Sequence, residues 1–227
     1  MNEPPLIVVD LDGTVCLGDA PVLAFASRAF AHLEPTTRAR AHAALEAFLA
    51  GDATAVPGAR DGYQAGARIA SALGVGPEAR EAAFAASRTA IDEWLGEIRA
   101  PERLVDALRA AAARRVLVTN SPAPAVARVL AALGIRDVFH DVVPSAGKPE
   151  RMAEALDALG VSRRVDPHAL ATIGDIWAND HAEAHARGAS TFLIDTADFG
   201  DGEPTARART PDELAPAVAA WATVSTW

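Results

Sequence analysis

A single lysine, a single cysteine and a single tyrosine occur among the 227 residues, and no long hydrophobic run occurs at all. With Cys16 alone, the chain has no internal disulfide, which agrees with a reducing compartment. The first apolar run, Leu6 to Val9, follows acidic and proline residues and is far too short for a signal segment or a membrane span. A cytoplasmic protein with no membrane partner is therefore expected. Positive charge is also scarce: the formal net charge is −9, which argues against a nucleic-acid or anionic-lipid surface built from clustered Lys and Arg. Of the 21 basic residues only Lys148 is a lysine, so a compact ammonium at that position answers a specific need. What the chain does have is 50% hydrophobic content, enough for a full core with one modest insertion.

Leu6-Ile7-Val8-Val9 reads as a buried strand that ends in a tight turn at Asp10-Leu11-Asp12-Gly13. From about Pro21 to Ala100 alanine-rich helical patterns take over, broken at Gly51-Asp52 and at Gly74-Val75-Gly76-Pro77. Pro77 suits the first turn of a helix reaching Ile98. Beyond Pro101 strands and helices alternate. A helix to about Ala113 leads to a strand at Arg115–Val118, a helix at Pro122–Leu133 and an apolar run at Val138–Val143. Then come a helix at Pro149–Leu159, a strand at Leu170–Ile173, a helix from about Ala178 to Arg187 and a strand at Thr191–Ile194. Asp195 to Thr210 reads as a loop before a last helix that starts at Pro211. Such alternation predicts βα units on a parallel sheet, interrupted by an all-helical insertion. The expected fold class is α/β: residues 1–16 and 100–227 form the catalytic core, and residues 17–99 a helical cap.

In parallel sheets ligands bind beyond the carboxyl ends of the strands. Four polar segments fall there: Asp10-Leu11-Asp12-Gly13-Thr14, Thr119-Asn120-Ser121, Gly147-Lys148-Pro149 and Gly174-Asp175-Ile176-Trp177-Ala178-Asn179-Asp180. Asp10 and Asp12, joined by Asp175 from another strand, make a hard, oxygen-rich site of the kind that holds Mg²⁺ beside a phosphate. With a cation bound, Asp10 stays ionised and can attack phosphorus. Asp12, beyond a turn that Gly13 eases, can exchange a proton with the leaving oxygen. Thr119 offers a hydroxyl and the turn before Pro122 offers backbone N–H groups to phosphate oxygens, while Lys148 supplies positive charge between nucleophile and transferring group.

These four segments, in this order, resemble the four motifs of the haloacid dehalogenase-like hydrolase superfamily, and the likeness runs from Leu6 to about Asp195. It implies a Rossmann-like three-layer core, with Asp10 as the residue that becomes aspartyl-phosphate and Asp12 as acid and then base. It further implies Mg²⁺ held by Asp10, the backbone carbonyl of Asp12 and Asp175. Thr119 is then the phosphoryl-binding residue, Lys148 steadies the nucleophile, and Asp180 supports the metal. Asp10 and Thr119 lie 109 positions apart, while Thr119 to Lys148 spans 29 and Lys148 to Asp175 spans 27. The insertion therefore lies between the first two motifs, which is similar to the helical-capped class that includes phosphoglycolate phosphatases and β-phosphoglucomutases.

The activity this predicts is hydrolysis of a small phosphorylated metabolite. A phosphomutase or phosphotransferase acting on a sugar phosphate shares the same core motifs. Halide displacement needs neither a metal nor the proton donor Asp12, and the family's phosphonate cleavage uses a cap lysine that is absent here. A binding protein that kept the fold and lost the chemistry is the remaining alternative. Among other residues, Asn120 is expected to orient substrate or Asp10, Asn179 either caps a helix or serves the site, and Ser121 caps a helix. His181 and His185 are expected on a polar helix face rather than on a metal, since no third ligand accompanies them. Gly74-x-Gly76 lacks a dinucleotide-binding context. Trp94 and the cap phenylalanines read as packing residues, and the segment from Pro57 to Tyr63 as a connecting loop whose Arg60 could meet an anion.

Overall fold

The structure is a computed structural model and describes residues 4–224. The chain divides into two compact units: one comprises Met1–Leu17 and Arg99–Trp227, the other Gly18–Ile98. The first is built on six parallel strands, β1 (Leu6–Val9), β2 (Arg114–Val118), β3 (Asp141–Val143), β4 (Leu170–Gly174), β5 (Ser190–Ile194) and β6 (Ala206–Ala208). They run in the order β3-β2-β1-β4-β5-β6. β1 is central because all four of its residues are buried, as a parallel strand covered on both faces requires. Val9 lies opposite Leu117 on one side and Ile173 on the other, so Asp10, Thr119 and Asp175 leave adjacent strands at the same edge. That edge is where the strand order reverses, the place at which open α/β sheets bind ligands.

The Gly18–Ile98 unit holds four helices: α1 (Ala20–Ala29), α2 (Pro35–Leu49), α3 (Gly62–Ala72) and α4 (Pro77–Thr89). Its core is aromatic. Phe25, Tyr63 and Phe84 meet with ring centroids 5.7–6.3 Å apart, and the Arg88 guanidinium lies over the rings of Tyr63, Phe84 and Trp94. Trp94 is buried and donates its indole N–H to the Ser87 carbonyl. Asp61 caps α3 by accepting the Gln64 N–H, so Gly62 and Tyr63 belong to a helix and only the residues before them to a loop. The helix expected to reach Ile98 stops at Thr89 and gives way to two 3₁₀ turns, Ile91–Glu93 and Leu95–Glu97. Seating Ile91 and Trp94 in the core bends the chain there.

In the sheet-containing unit, helices α5 (Glu102–Ala110), α6 (Ala123–Ala132), α7 (Met152–Ala158), α8 (Ala182–Ala186) and α9 (Pro211–Val224) flank the strands. One face of the sheet packs Leu6, Val8, Val116, Val118 and Leu170 against Met152 and Leu156 of α7 and Ala184 of α8. Ile7 and Val9 alternate to the opposite face. The result is a three-layer, Rossmann-like arrangement.

Three sequence expectations are revised here. The apolar run Val138–Val143 splits into a 3₁₀ turn, Arg136–Val138, and the short β3. The stretch Asp195–Thr210 is not wholly a loop, because β6 lies within it and pairs with β5. Ala206-Arg207-Ala208 has no strand signature of its own. Asp195 braces the segment by accepting the N–H groups of Phe199 and Gly200 and pairing with Arg207, and Thr191 and Thr205 exchange bonds between N–H and hydroxyl. Finally, a plain helix does not begin at Ala178: a wide π-type turn, Trp177–His181, precedes α8.

Among the described residues, no helix is long and apolar enough to cross a membrane.

Candidate active site

Asp10 is the first residue after β1, and the chain folds back at once: the N–H groups of Val15 and Cys16 both bond the Leu11 carbonyl. That turn returns Thr14 to Asp10, where its hydroxyl donates to Oδ2 at 3.2 Å. Gly13 holds φ at +79° within the turn, and a Cβ there would collide with the Asp175 carboxylate, so glycine meets both a conformational and a spatial demand. Asp175 thus lies against the turn that carries Asp10 and Asp12.

Lys148 is the hub. Its ammonium, on a side chain only 3% exposed, donates to Asp10 Oδ1 at 2.7 Å and to Asp180 Oδ1 at 2.6 Å. Burial alone would depress the lysine's pKa, but Asp10 and Asp180 overcome it and hold the group protonated, well above its usual range. Burial pushes Asp10 up from 3.8 to about 7, against the pull of Lys148, and the neighbouring charges of Asp180 and Asp12 add to the rise. A carboxyl so poised is easily switched by a cation.

Asp180 is held from behind as well, its Oδ2 accepting the Ile176 N–H at 3.0 Å. A Cβ at Gly174 would run into the Asp180 carboxylate, so this glycine is needed for the close approach. The π-type turn explains the inward placement. The Ala182 N–H reaches back to the Trp177 carbonyl, and the extra residue in that turn lets Asp180 and His181 both face inward. His181 is fully buried between Thr172 and the Gly174 carbonyl, at 2.6 and 3.2 Å. Burial lowers its pKa and keeps the ring neutral, so it donates from Nε2 to Gly174 and accepts from Thr172 at Nδ1. The polar helix face expected for His181 is therefore corrected: the residue is a buried strut under the turn that carries Asp180.

Carboxylate oxygens of Asp10, Asp175 and Asp180 lie within 4.8 Å of one another. Mg²⁺ binds oxygens at about 2.0–2.1 Å, which sets opposite ligands about 4.2 Å apart. The three side chains fit such an ion with little movement, and a hard, all-oxygen donor set is the one it prefers.

The remaining expected residues are accounted for as follows. Thr119 is buried at the end of β2, and its hydroxyl accepts the Ser121 N–H at 3.1 Å. Asn120 turns its amide to the Lys148 backbone: Oδ1 accepts the Lys148 N–H at 2.8 Å and Nδ2 donates to the Lys148 carbonyl at 2.9 Å. The two bonds make a clamp on the backbone that carries the ammonium. Ser121 does not cap a helix; its hydroxyl donates to Asp12 Oδ2 at 3.0 Å. Thr14 and Ser121 are thus the polar partners that motif reading leaves without a role. A signal for Ser121 did exist, since in an extended segment alternate residues share a side, which puts Ser121 with Thr119.

The family model for haloacid dehalogenase-like hydrolases matches residues 4–186. The chain belongs to this family. No curated protein matches its sequence. Among solved structures, the provisionally assigned family hydrolase YfnB of Bacillus subtilis, solved bound to magnesium, is similar with a TM-score of 0.62 at 17% identity, covering 96% of this chain and 99% of that one. A phosphatase of the family from Thermococcus onnurineus gives 0.58 at 17%, over 94% and 97% of the two chains. A 2-haloacid dehalogenase from Pseudomonas syringae gives 0.51 at 16%, over 96% and 98%. At these identities the likeness is one of fold, and the haloacid dehalogenase-like fold hosts more than one chemistry.

Proposed function

We propose that this chain is a magnesium-dependent phosphohydrolase that cleaves small phosphate monoesters through an aspartyl-phosphate on Asp10. The observation that carries the reading is the convergence of the Asp10, Asp175 and Asp180 carboxylates, two of which, Asp10 and Asp180, share the Lys148 ammonium, with Asp12 two residues beyond the nucleophile. Displacing a halide calls for neither the carboxylate cluster nor a proton donor at Asp12.

When bound by Asp10, Asp175 and the carbonyl of Asp12, Mg²⁺ would neutralise phosphoryl oxygens as charge develops. The protein's own residues account for the rest. Thr119 donates its hydroxyl proton to a phosphoryl oxygen, and Lys148 holds Asp10 in line while balancing its charge. An Asp10 oxygen bonds to phosphorus as the ester P–O bond breaks; the leaving oxygen keeps that electron pair and takes a proton from Asp12. Asp12 then removes a proton from the water that attacks phosphorus. The P–O bond to Asp10 breaks, its electron pair returns to the carboxylate, and inorganic phosphate departs.

The test is release of inorganic phosphate from p-nitrophenyl phosphate with Mg²⁺, loss of that release with EDTA, and its abolition in Asp10→Asn with the fold intact. Halide release from a 2-haloacid without phosphatase activity would overturn the reading. Transfer of phosphate between sugar hydroxyls without net release would replace it with a mutase.

A further inference from the structure

The turn from Asp175 to Asp180 carries two of the three clustered carboxylates, and Trp177 stands between them. The Trp177 carbonyl closes the π-type turn by accepting the Ala182 N–H, so the peptide that bears the indole is part of the frame that turns Asp180 inward. The ring itself is held by more than its own segment. It meets His185 and His181 with centroids 5.2 and 5.7 Å apart. The backbone of Gly202 lies so close to it that a Cβ there would fall on the atoms where the two rings of the indole fuse.

Gly202 is fixed in turn. Arg207 pairs with Asp195 and donates from Nη2 to the Asp201 carbonyl at 2.7 Å and to the Gly202 carbonyl at 3.2 Å. β6, which carries Arg207, pairs with β5. The stretch that presses on the indole is therefore fastened to the sheet, while the indole is fastened to the acidic turn. Mg²⁺ demands near-ideal octahedral geometry, so the carboxylates that hold it tolerate little misplacement. We infer that Trp177 and Gly202 are positioning residues for the divalent-cation site: the 195–207 segment holds the indole, and the indole holds the turn that aims Asp175 and Asp180. The inference rests on the magnesium-dependent reading above and adds to it two residues that act only through those carboxylates.

Gly202→Ala and Gly200→Ala separate the ring contact from backbone strain. Both glycines lie in the left-handed region, at φ +66° and +74°, so alanine strains the backbone at either. Only at Gly202 does its methyl strike the indole, since nothing lies within 4 Å of a Cβ at Gly200. Isothermal titration of each variant with Mg²⁺ alone reads the site without turnover. For Gly202→Ala the Kd for Mg²⁺ should rise roughly 10-fold, the low end of the loss that follows when the support of a metal ligand is removed. For Gly200→Ala it should keep the wild-type value. Trp177→Leu should weaken Mg²⁺ similarly, and adding Gly202→Ala to it should cost little more, because the ring that alanine strikes is gone. With p-nitrophenyl phosphate as substrate, saturating Mg²⁺ should restore the kcat of Gly202→Ala.

Wild-type Mg²⁺ affinity in Gly202→Ala, equal losses at Gly200 and Gly202, multiplied losses in the double variant, or a kcat deficit that saturating Mg²⁺ leaves in place would each overturn the inference. The contact would then be one of packing, and the phosphohydrolase reading would stand. If the wild-type protein neither binds Mg²⁺ nor hydrolyses the ester, the parent reading fails and this inference with it. Should Gly202→Ala not fold, as judged by circular dichroism, Trp177→Leu carries the test, and an unchanged Kd for Mg²⁺ in that variant would overturn the inference.

Discussion

Replacing Lys148 by methionine keeps the length and apolar stem of the side chain and deletes only its charge. The ammonium is 97% shielded from solvent and lies 2.7 Å from Asp10 and 2.6 Å from Asp180, so Lys148→Met leaves two buried carboxylates facing one another. Removing one partner of a buried ion pair costs about 3–5 kcal/mol, mostly because the remaining charge stays desolvated. For a protein of this size each kcal/mol moves Tm by roughly 2–4 °C, so a loss of about 3 kcal/mol lowers Tm by roughly 6–12 °C. The pH dependence has a definite sign. Asp10 already titrates near pH 7, and without Lys148 it holds its proton to still higher pH. Protonation relieves the repulsion, so the deficit is smallest at and below about pH 7, where Asp10 is protonated in both proteins, and grows as pH rises above it. Mg²⁺ supplies replacement charge, so saturating metal should raise the variant's Tm more than the wild type's. Thermal melts followed by circular dichroism, in EDTA and in Mg²⁺ at one acidic and one alkaline pH, read all of this. Adding Asp180→Asn to Lys148→Met should recover part of the loss, since the two sites are directly coupled. An unchanged Tm for Lys148→Met in alkaline EDTA would refute the buried ammonium, and with it the electrostatic frame of the site.

Two further expectations concern protons. Because burial raises Asp10 to about 7, Mg²⁺ must displace a proton from it below that pH. Mg²⁺ affinity should weaken about tenfold per pH unit below neutrality and level off above it, and calorimetry in buffers of different ionisation enthalpy would detect the released proton. An affinity flat across that range would contradict it. For His181 the shift runs the other way: its folded pKa lies below 6.5, so its contribution to stability is complete above pH 6.5 and is lost as pH falls through the folded value. His181→Gln, which cannot titrate there, should flatten the acidic limb of the stability curve measured in denaturant, and an unchanged limb would mean the ring is not the buried strut described above.

The parts of the fold that depend on strong local signals were legible in the sequence. β1 announces itself because Leu6-Ile7-Val8-Val9 has no polar residue to expose, and the strand ends near Asp10, Thr119 and Asp175 follow from apolar runs that stop abruptly. What was not legible depends on partners far along the chain. β6 exists because β5, Asp195 and Thr191 hold it, not because Ala206-Arg207-Ala208 prefers a strand. The π-type turn at Trp177–His181 is decided by the burial of His181 against Thr172, and helical periodicity carries no trace of an inserted residue. In the site, the unusual lone lysine drew attention to Lys148, but its two carboxylate partners are 138 and 32 positions away. Asn120 illustrates the limit well. An amide beside a phosphate-binding threonine suggests a ligand contact, and only the returning loop reveals that both of its ends bond the Lys148 backbone.

The most direct measurement traps the acyl phosphate itself. Protein mixed briefly with substrate and Mg²⁺, quenched and reduced with borohydride, should contain homoserine at position 10 in peptide mass spectrometry, and none when substrate is withheld. Vigorous phosphate release with Asp10 unreduced, or with the modification on another residue, would contradict nucleophilic attack by this carboxylate.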